Sequence, residues 1–416
     1  MNYTVDNISR KVSGEIHPPA SKSISNRALI LRYLSGKKIT IENCSDSDDT
    51  VLLKRILSSL GDYKSGINEI DCRNAGTVFR FLLPILSVTE GHWLLTGSER
   101  MKARPVGPLV KALNELGANI QYLEKPGFAP LSVRGTKLTG KTISINASES
   151  SQFVSALLLI AHTLVDGLEI NLEGGNSSLP YITMTLKLLE SAGIVSEFSK
   201  QSIRIKKQSL IPFRIKVESD WSAASYWYEM AALSQEANLV LHGYSPDSLQ
   251  GDSEIRKIME HVHVHTEFTK EGIHITKLSR DLTEKKQEYH LLHFPDLFPA
   301  LLATCCGLRL PCDISGIKNL RIKESDRIES LKTELAKTGC LVHVSENDFV
   351  SLSFQEEKTP SGIIFGTHDD HRIAMSLAPL ALIFGKVKIQ NPDVVSKSYP
   401  AFWSDFESAG FRISEE

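Results

Sequence analysis

One pattern recurs six times along the chain and limits what it can fold into. Each copy opens on a short polar cluster and runs on as an apolar stretch of helical period. A glycine or turn, a short strand-like run and a second helical stretch follow, usually with two short strands after them. The copies open at Ser21, at Gly76-Thr77, at Ser151, at Asp220-Trp221-Ser222, near Asp296 and at Asp370. Their strands are Ile39–Ile41, Trp93–Leu95, Leu168–Leu172, Asn238–His242, Cys312–Ile314 and Val387–Ile389. Their second helices are Val51–Leu60, Val106–Leu116, Tyr181–Ala192, Ser253–Met259, Asp326–Lys337 and Ala401–Ser408, five of them followed within two residues by glycine. Strands alternating with helices at this spacing predict an α/β architecture built from repeated units.

The openings share a chemistry. Ser, Thr and Asp cap helix N-termini, where backbone N–H groups lack partners and the helix dipole is positive. If the units pack with pseudo-symmetry, several such ends face a common centre, which suits a phosphate-bearing ligand. The stretch Ile322–Ile328 adds two cations and three acidic or hydroxylic neighbours at one opening. Read as a helix start, it places Lys323 and Arg327 on one face, with Glu324 turned about 100° from Lys323. Cations there are not favoured by the dipole, so an anionic ligand is one reason for their presence; a salt-bridged, solvated helix start is the other.

Bulk properties exclude several classes. The formal net charge is −2, so the chain as a whole does not recruit nucleic acid or anionic membrane, and any anion binding must come from local clusters. No apolar run reaches the ~18 residues that span a bilayer. Residues Met1–Arg10 lack signal or transit character, which reads as a cytoplasmic protein. The six cysteines, Cys44, Cys72, Cys305, Cys306, Cys312 and Cys340, form no CxxC pair and read as reduced, buried thiols. His261, His263 and His265 alternate as on a solvent-facing strand, with a metal site the lesser alternative. There is no GxSxG, no GxxxxGK[ST] and no strand-linked GxGxxG.

The polar openings spell a set of motifs in order: KSISNR from Lys22 to Arg27, NAGT from Asn74 to Thr77 with Arg80, MKARP from Met101 to Pro105, SSQF from Ser150, KESDR from Lys323 to Arg327, and DHR from Asp370 to Arg372. In this combination they resemble the EPSP synthase family of 3-phosphoshikimate 1-carboxyvinyltransferases, over essentially the whole chain. The resemblance implies a two-domain enolpyruvyl-transferase-like fold, α/β (α+β) in class, each domain built from three βαβαββ repeats and the two closing on a cleft. Residues 1–19 plus 218–416 would form the domain with both termini, contributing phosphoenolpyruvate contacts and catalysis. Residues 20–217 would form the inserted domain, contributing shikimate 3-phosphate contacts. Pro18-Pro19 and Pro212 stand at the two crossings, with Phe213–Val217 read as the strand leading into the fourth copy. Two departures are visible: Phe81 follows Arg80 where the family commonly has proline, and the segment from Gly61 to Asn74 leaves the first copy little room for closing strands.

The resemblance also implies the site. Lys22, Ser23, Arg27, Ser150, Ser151, Gln152, Ser178, Tyr181, Asp296, Asn319 and Lys323 match contacts to shikimate 3-phosphate. Lys22, Asn74, Gly76, Thr77, Arg104, Gln152, Arg327, Arg372 and Lys397 match contacts to phosphoenolpyruvate. Asp296, Glu324 and Lys22 match catalytic positions. The implied chemistry is addition then elimination through a tetrahedral intermediate, with one carboxyl group moving the proton on C3 of phosphoenolpyruvate in both directions. The family needs no metal or other cofactor, and the expected protein is a monomer that acts on small molecules and binds neither nucleic acid nor membrane. Two rivals remain. A UDP-N-acetylglucosamine enolpyruvyl transferase typically carries a cysteine before its ARPV-like motif, where this chain has Ser98–Met101. A repeat-built DNA clamp would want a basic surface, which the charge of −2 opposes.

Overall fold

The computed structural model describes residues 1–62, 66–146, 148, 150–174, 178–199, 201–277, 286–346, 348–355 and 362–416. The chain divides into two compact units, Met1–Ser21 with Glu218–Glu416, and Lys22–Val217. It opens in the first unit with strands β1 (Asn2–Asp6) and β2 (Lys11–Ile16), then enters the second as helix α1 (Lys22–Leu34), β3 (Ile39–Glu42) and α2 (Asp48–Ser59). The second copy is β4 (Ile67–Asp71), α3 (Gly76–Val88), β5 (His92–Thr96), the short α4 (Glu99–Lys102), α5 (Gly107–Glu115), β6 (Asn119–Tyr122) and β7 (Leu131–Arg134). The third is β8 (Thr142–Asn146), α6 (Ser151–Ala161), β9 (Leu168–Glu173), α7 (Leu179–Ser191), β10 (Ser196–Phe198) and β11 (Ser202–Ile205), followed by β12 (Phe213–Lys216). Back in the first unit come α8 (Trp221–Leu233), β13 (Glu236–His242), α9 (Ile255–Glu260), β14 (Val264–Phe268) and β15 (Gly272–Lys277). The fifth copy is β16 (Gln287–His290), α10 (Phe298–Gly307), β17 (Cys312–Ser315), α11 (Arg327–Ala336), β18 (Cys340–Val344) and β19 (Val350–Phe354). The sixth is β20 (Ile363–Phe365), α12 (His371–Leu377), α13 (Ala381–Phe384), β21 (Val387–Gln390), α14 (Phe402–Ser408) and β22 (Arg412–Glu415).

Five copies build the same four-stranded sheet. Its order is opening strand, second strand, fourth, third: β4-β5-β7-β6, β8-β9-β11-β10, β2-β13-β15-β14, β16-β17-β19-β18 and β20-β21-β1-β22. The opening pair is parallel and the remainder antiparallel, as β4 with β5 and β5 with β7 illustrate. The chain's start is thus shared out: β2 runs parallel to β13 and opens the fourth copy, while β1 closes the sixth between β21 and β22. Strand β12 does not lead the fourth copy, as its place in the sequence suggests. It runs parallel to β3, with Phe213 opposite Ile39, and opens the first. Among the described residues the first copy's sheet stops at those two strands, because the strand before Asn74, β4, is taken by the second copy. Residues 63–65 of that segment lie outside the described residues.

The first helix of a copy is central and the second is peripheral. Helices α1, α3 and α6 pack on one another in one unit, and α8, α10 and α12 in the other. All 13 residues of α8 and all ten of α10 are buried, so apolar residues predominate on every side, with Ser222, Ser225 and Glu229 of α8 the buried polar exceptions among Trp221–Leu233. The peripheral helices carry one buried face only, as in α2 and α5. A fully buried helix must still satisfy its last carbonyls. Lys277, from β15, donates its ammonium to the carbonyls of Ala232 (2.7 Å) and Ser234 (2.5 Å) at the end of α8.

Other local readings change. The three histidines share no strand: His261 ends α9, His263 has a left-handed φ of 62°, and only His265 lies in β14. Cys306 and Cys340 are paired as a disulfide between the end of α10 and β18, so two of the six cysteines are not free thiols. Spacing could not show this, because 34 positions separate them and the fold brings their Cα atoms to 6.1 Å. Among the described residues no helix is long and apolar enough to cross a membrane.

Candidate active site

In the unit formed by Lys22–Val217, side chains tie the N-terminal halves of the three central helices together. Arg27, in α1, is buried, and its Nε donates to Thr185 Oγ1 (2.7 Å). Nη1 donates to the Ser23 carbonyl (2.9 Å), and Nη2 to Ser155 Oγ (3.1 Å) and the Tyr181 carbonyl (3.3 Å). Its guanidinium lies over the rings of Phe81 (5.1 Å) and Tyr181 (6.0 Å). Burial lowers its pKa to about 10, still charged at neutral pH. The residue expected to grip a ligand is therefore first a clamp joining α1 to α3, α6 and α7. Phe81, the departure from the family's proline, supplies one wall of that clamp.

A second chain of contacts joins α3 to α6. Arg80 Nη1 donates to Gln152 Oε1 (2.7 Å), and Gln152 Nε2 donates to Thr77 Oγ1 (2.8 Å). Arg80 also reaches the Pro105 carbonyl (3.2 Å) and stacks over Phe153 (5.3 Å). Ser150 caps α6 by accepting from the Gln152 backbone N–H (3.3 Å), with Ser151 buried as its first residue. Helix α3 has Ala75 at its N-cap position and so no side-chain cap. The Arg104 guanidinium covers that end so closely that a Cβ on Gly76 would sit 2.7 Å from its carbon, hence the glycine beside Asn74 and Thr77. Lys22, the first residue of α1, pairs with Asp49 (3.2 Å). Ser178 stands in a left-handed conformation (φ 57°) before α7, with Tyr181 on its first turn.

In the other unit the site is a dense ionic network. Arg327 heads α11 and is almost wholly buried; it donates from Nε to Asp370 (2.8 Å), from Nη1 to Asp296 (3.0 Å) and from Nη2 to Glu324 (2.8 Å). Arg372 heads α12 and donates to Asp296 (2.9 Å), with the Tyr226 hydroxyl at 3.5 Å. Lys323 stands 3.8 Å from Asp296, and Lys397 3.8 Å from Glu324. Asn319 is buried in the 3₁₀ turn Lys318–Ile322 before them. Asp370 caps α12 through the Arg372 N–H (3.0 Å) and also accepts from Ser325 (3.1 Å). Burial alone would raise the Asp296 carboxyl, but Arg372, Lys323 and Arg327 together hold it well below the usual carboxylate range. Asp252 lies deeper, accepts from Ser222, and is raised to about 7 by burial and by Asp296.

The helical reading of the 322–328 stretch needs correcting. Asp326 caps α11 by accepting from the Glu329 N–H (3.2 Å), so the helix starts at Arg327 and Lys323 lies before it in extended backbone. Lys323 and Arg327 meet over Asp296, not along a helix face. Nor do all six opening helices carry side-chain caps: α6, α8 and α12 do, while α3 and α10 do not. The sequence marks Asp370 as the capping residue that opens the sixth copy, and the structure adds that its carboxylate also accepts from the Arg327 guanidinium, a partnership with no local signal. Asp49, Ser155, Thr185 and Tyr226 carried no local signal, since each reaches its partner only through tertiary packing.

Two units of three repeats, each with charged or hydroxylic groups gathered at its central helix starts, are the architecture of the enolpyruvyl transferases. The fold superposes over its full length on EPSP synthase from Acinetobacter baumannii, at a TM-score of 0.76 with 22% identity and 100% of each chain covered. It matches the enolpyruvyl transferase NikO from Streptomyces tendae at 0.76 with 16% identity, covering 99% of each chain. The sequence profile described as EPSP synthase (3-phosphoshikimate 1-carboxyvinyltransferase) matches residues 7–406, and the chain belongs to that family. It is 41% identical over 404 residues to the 3-phosphoshikimate 1-carboxyvinyltransferase of Bacteroides fragilis (strain YCH46), covering 97% of each chain. Against the enzyme of the same name from Shewanella pealeana it is 33% identical over 422 residues, covering 96% of this chain and 97% of that one.

Proposed function

We propose that this protein transfers the enolpyruvyl group of phosphoenolpyruvate to the 5-hydroxyl of shikimate 3-phosphate, giving 5-enolpyruvylshikimate 3-phosphate and inorganic phosphate, a step of the shikimate pathway toward chorismate and the aromatic amino acids. Family membership over residues 7–406 supports the reaction. The observation that carries the chemistry is the pair of carboxylates on one guanidinium, Asp296 at 3.0 Å and Glu324 at 2.8 Å from Arg327.

The roles divide by environment. In the addition the 5-hydroxyl passes its proton to the Asp296 carboxylate as its oxygen bonds C2, while C3 of phosphoenolpyruvate takes a proton from Glu324. In the elimination C3 returns that proton to Glu324, the C2–O bond to phosphate breaks, and phosphate leaves with the proton held by Asp296. Asp296 faces three cations that keep it ionised before the reaction, so it serves to accept hydrogen bonds from the shikimate hydroxyls and then the 5-hydroxyl proton. Glu324 is held by Arg327 and, at 3.8 Å, Lys397, and is the group assigned to carry the C3 proton in both directions. Lys22 assists with the charge of the leaving phosphate. Arg327, Arg372 and Lys397 take phosphoenolpyruvate with Asn74, Gly76, Thr77, Arg104 and Gln152. Ser23, Arg27, Ser150, Ser151, Gln152, Ser178, Tyr181, Asn319 and Lys323 take shikimate 3-phosphate. The unit with both termini thus supplies the catalytic carboxylates and the inserted unit most of the shikimate phosphate contacts. The protein works as a cytoplasmic monomer, for which a single sedimenting species of 46.1 kDa is the check.

The test is release of phosphate. It is expected with shikimate 3-phosphate and phosphoenolpyruvate together and with neither alone. Release with UDP-N-acetylglucosamine as the acceptor, and none with shikimate 3-phosphate, would overturn the assignment in favour of the related transferase.

A further inference from the structure

The turn that delivers Asp370 to the ionic network is held in an unfavourable conformation. Between β20 and α12, His368 and Asp369 both adopt left-handed backbone, at φ 51° and 54°, which non-glycine residues rarely enter and two in succession more rarely still. Something must hold them there. Asp369 Oδ1 accepts from the Asn391 side-chain amide (2.7 Å). His368 Nε2 meets Glu334 Oε1 at 2.9 Å, and the other oxygen of Glu334 accepts from the Gly366 backbone N–H (2.8 Å) and from Lys337 (2.6 Å). Lys337 donates in turn to the Ile364 carbonyl (2.8 Å). The Glu334 side chain is only 4% exposed, so the bonds to its carboxylate are partly shielded from water, while the Asn391–Asp369 and Lys337–Ile364 bonds lie at the surface.

Glu334 and Arg327 belong to the same helix, α11, seven residues and therefore about 10 Å apart along its axis. One end of the turn is fixed to that helix at Glu334 and the other at Arg327, through Asp370. Helix α11 is thus the template on which the turn is laid, and the turn sets where α12 begins and where Arg372 points. We propose that Glu334 and His368 are positioning residues for Asp370, and through it for the guanidinium groups of Arg327 and Arg372. Neither needs to touch substrate. The inference rests on the reading that Arg327 and Arg372 receive phosphoenolpyruvate.

Four variants test it: Glu334→Ala, Glu334→Gln, His368→Ala and the double variant Glu334→Ala with His368→Gly, with Arg372→Lys measured alongside. Glu334→Ala and His368→Ala are expected to raise KM for phosphoenolpyruvate roughly ten- to a hundred-fold, the size of effect that an ångström of misplacement produces, with KM for shikimate 3-phosphate little changed. Glu334→Gln, which keeps an acceptor for Gly366, should recover part of the loss. The double variant should recover more than Glu334→Ala alone, because glycine enters the left-handed region without strain. If Glu334→Ala does not fold, His368→Ala, at a half-exposed position, decides the matter. A lower melting temperature with both KM values unchanged would make the contact a structural tie and overturn the proposal, as would equal rises for both substrates. If Arg372→Lys raises the phosphoenolpyruvate KM and His368→Ala does not, positioning fails and the site assignment stands. If Arg372→Lys also leaves it unchanged, the assignment itself falls, and the proposal with it.

Discussion

Replacing Glu324 with glutamine separates proton transfer from ion pairing. The amide keeps the size of the side chain and one oxygen for the Arg327 Nη2 donor now at 2.8 Å. It removes the charge facing Arg327 and Lys397 and the exchangeable acid. Exchanging a charge-assisted bond for a neutral one costs about 1 kcal/mol, roughly half of what a charged hydrogen bond contributes. Arg327 retains Asp296 and Asp370, so the network and the fold should persist. Removing a general acid–base group, by contrast, typically costs 10²–10⁴-fold in rate, about 3–5 kcal/mol of barrier. The expected outcome is a kcat lower by that factor, a Kd for shikimate 3-phosphate within about five-fold of wild type, and a parallel fall in exchange of solvent deuterium into the methylene of phosphoenolpyruvate. Calorimetry, steady-state kinetics and NMR of recovered phosphoenolpyruvate measure the three. Near-normal deuterium exchange would refute the assignment of the C3 proton to Glu324. A fall in affinity matching the fall in rate would instead make Glu324 an orienting group for its cationic neighbours.

Three further outcomes follow from particular contacts. Asp296→Asn should destabilise its unit by roughly 3 kcal/mol, because it leaves buried guanidinium charge less compensated. The native carboxyl lies below its unfolded value near pH 3.9, so the stability it contributes is present above that pH and lost as pH falls below it; acid melting of the variant should be correspondingly flatter. Glu229, wholly buried in α8, has no hydrogen-bond partner among the described residues, and burial pushes its carboxyl well above the ordinary range. Glu229→Met should therefore stabilise by about 1–3 kcal/mol. The advantage should widen as pH rises above about 4.3, where the unfolded chain releases a proton that the native state retains; an unchanged melting temperature across that range would contradict this account. Arg80→Lys keeps the charge but loses the planar fork that holds Gln152 and stacks on Phe153. Affinity for phosphoenolpyruvate should drop about ten-fold, and a drop no larger than that of a surface lysine variant would show that Gln152 needs no such support.

The repeat was legible because its physics is local. Apolar period and glycine stops marked one strand and the second helix of each of the six copies to within a few residues, and placed the start of each first helix. Phe213–Val217 apart, the opening strands and the closing strands of the copies were not located. Most of the motif clusters lie at or just before helix starts, as at α1, α3, α6 and α12, while Met101–Pro105 spans the end of α4 and Lys323 lies in extended backbone before α11. Partnership was not legible. Strand β12 precedes the fourth copy in sequence and belongs to the first in space, β1 closes a sheet begun near residue 363, and Cys306 finds Cys340 across 34 positions. The same holds inside the site. The sequence shows that Lys323, Arg327 and Arg372 are cations, whereas packing decides that all three converge on Asp296 and hold it ionised. Composition and period act over a few residues and are written along the chain; hydrogen-bond partners and charge balance depend on distances that exist only once helices from separate copies have been packed together.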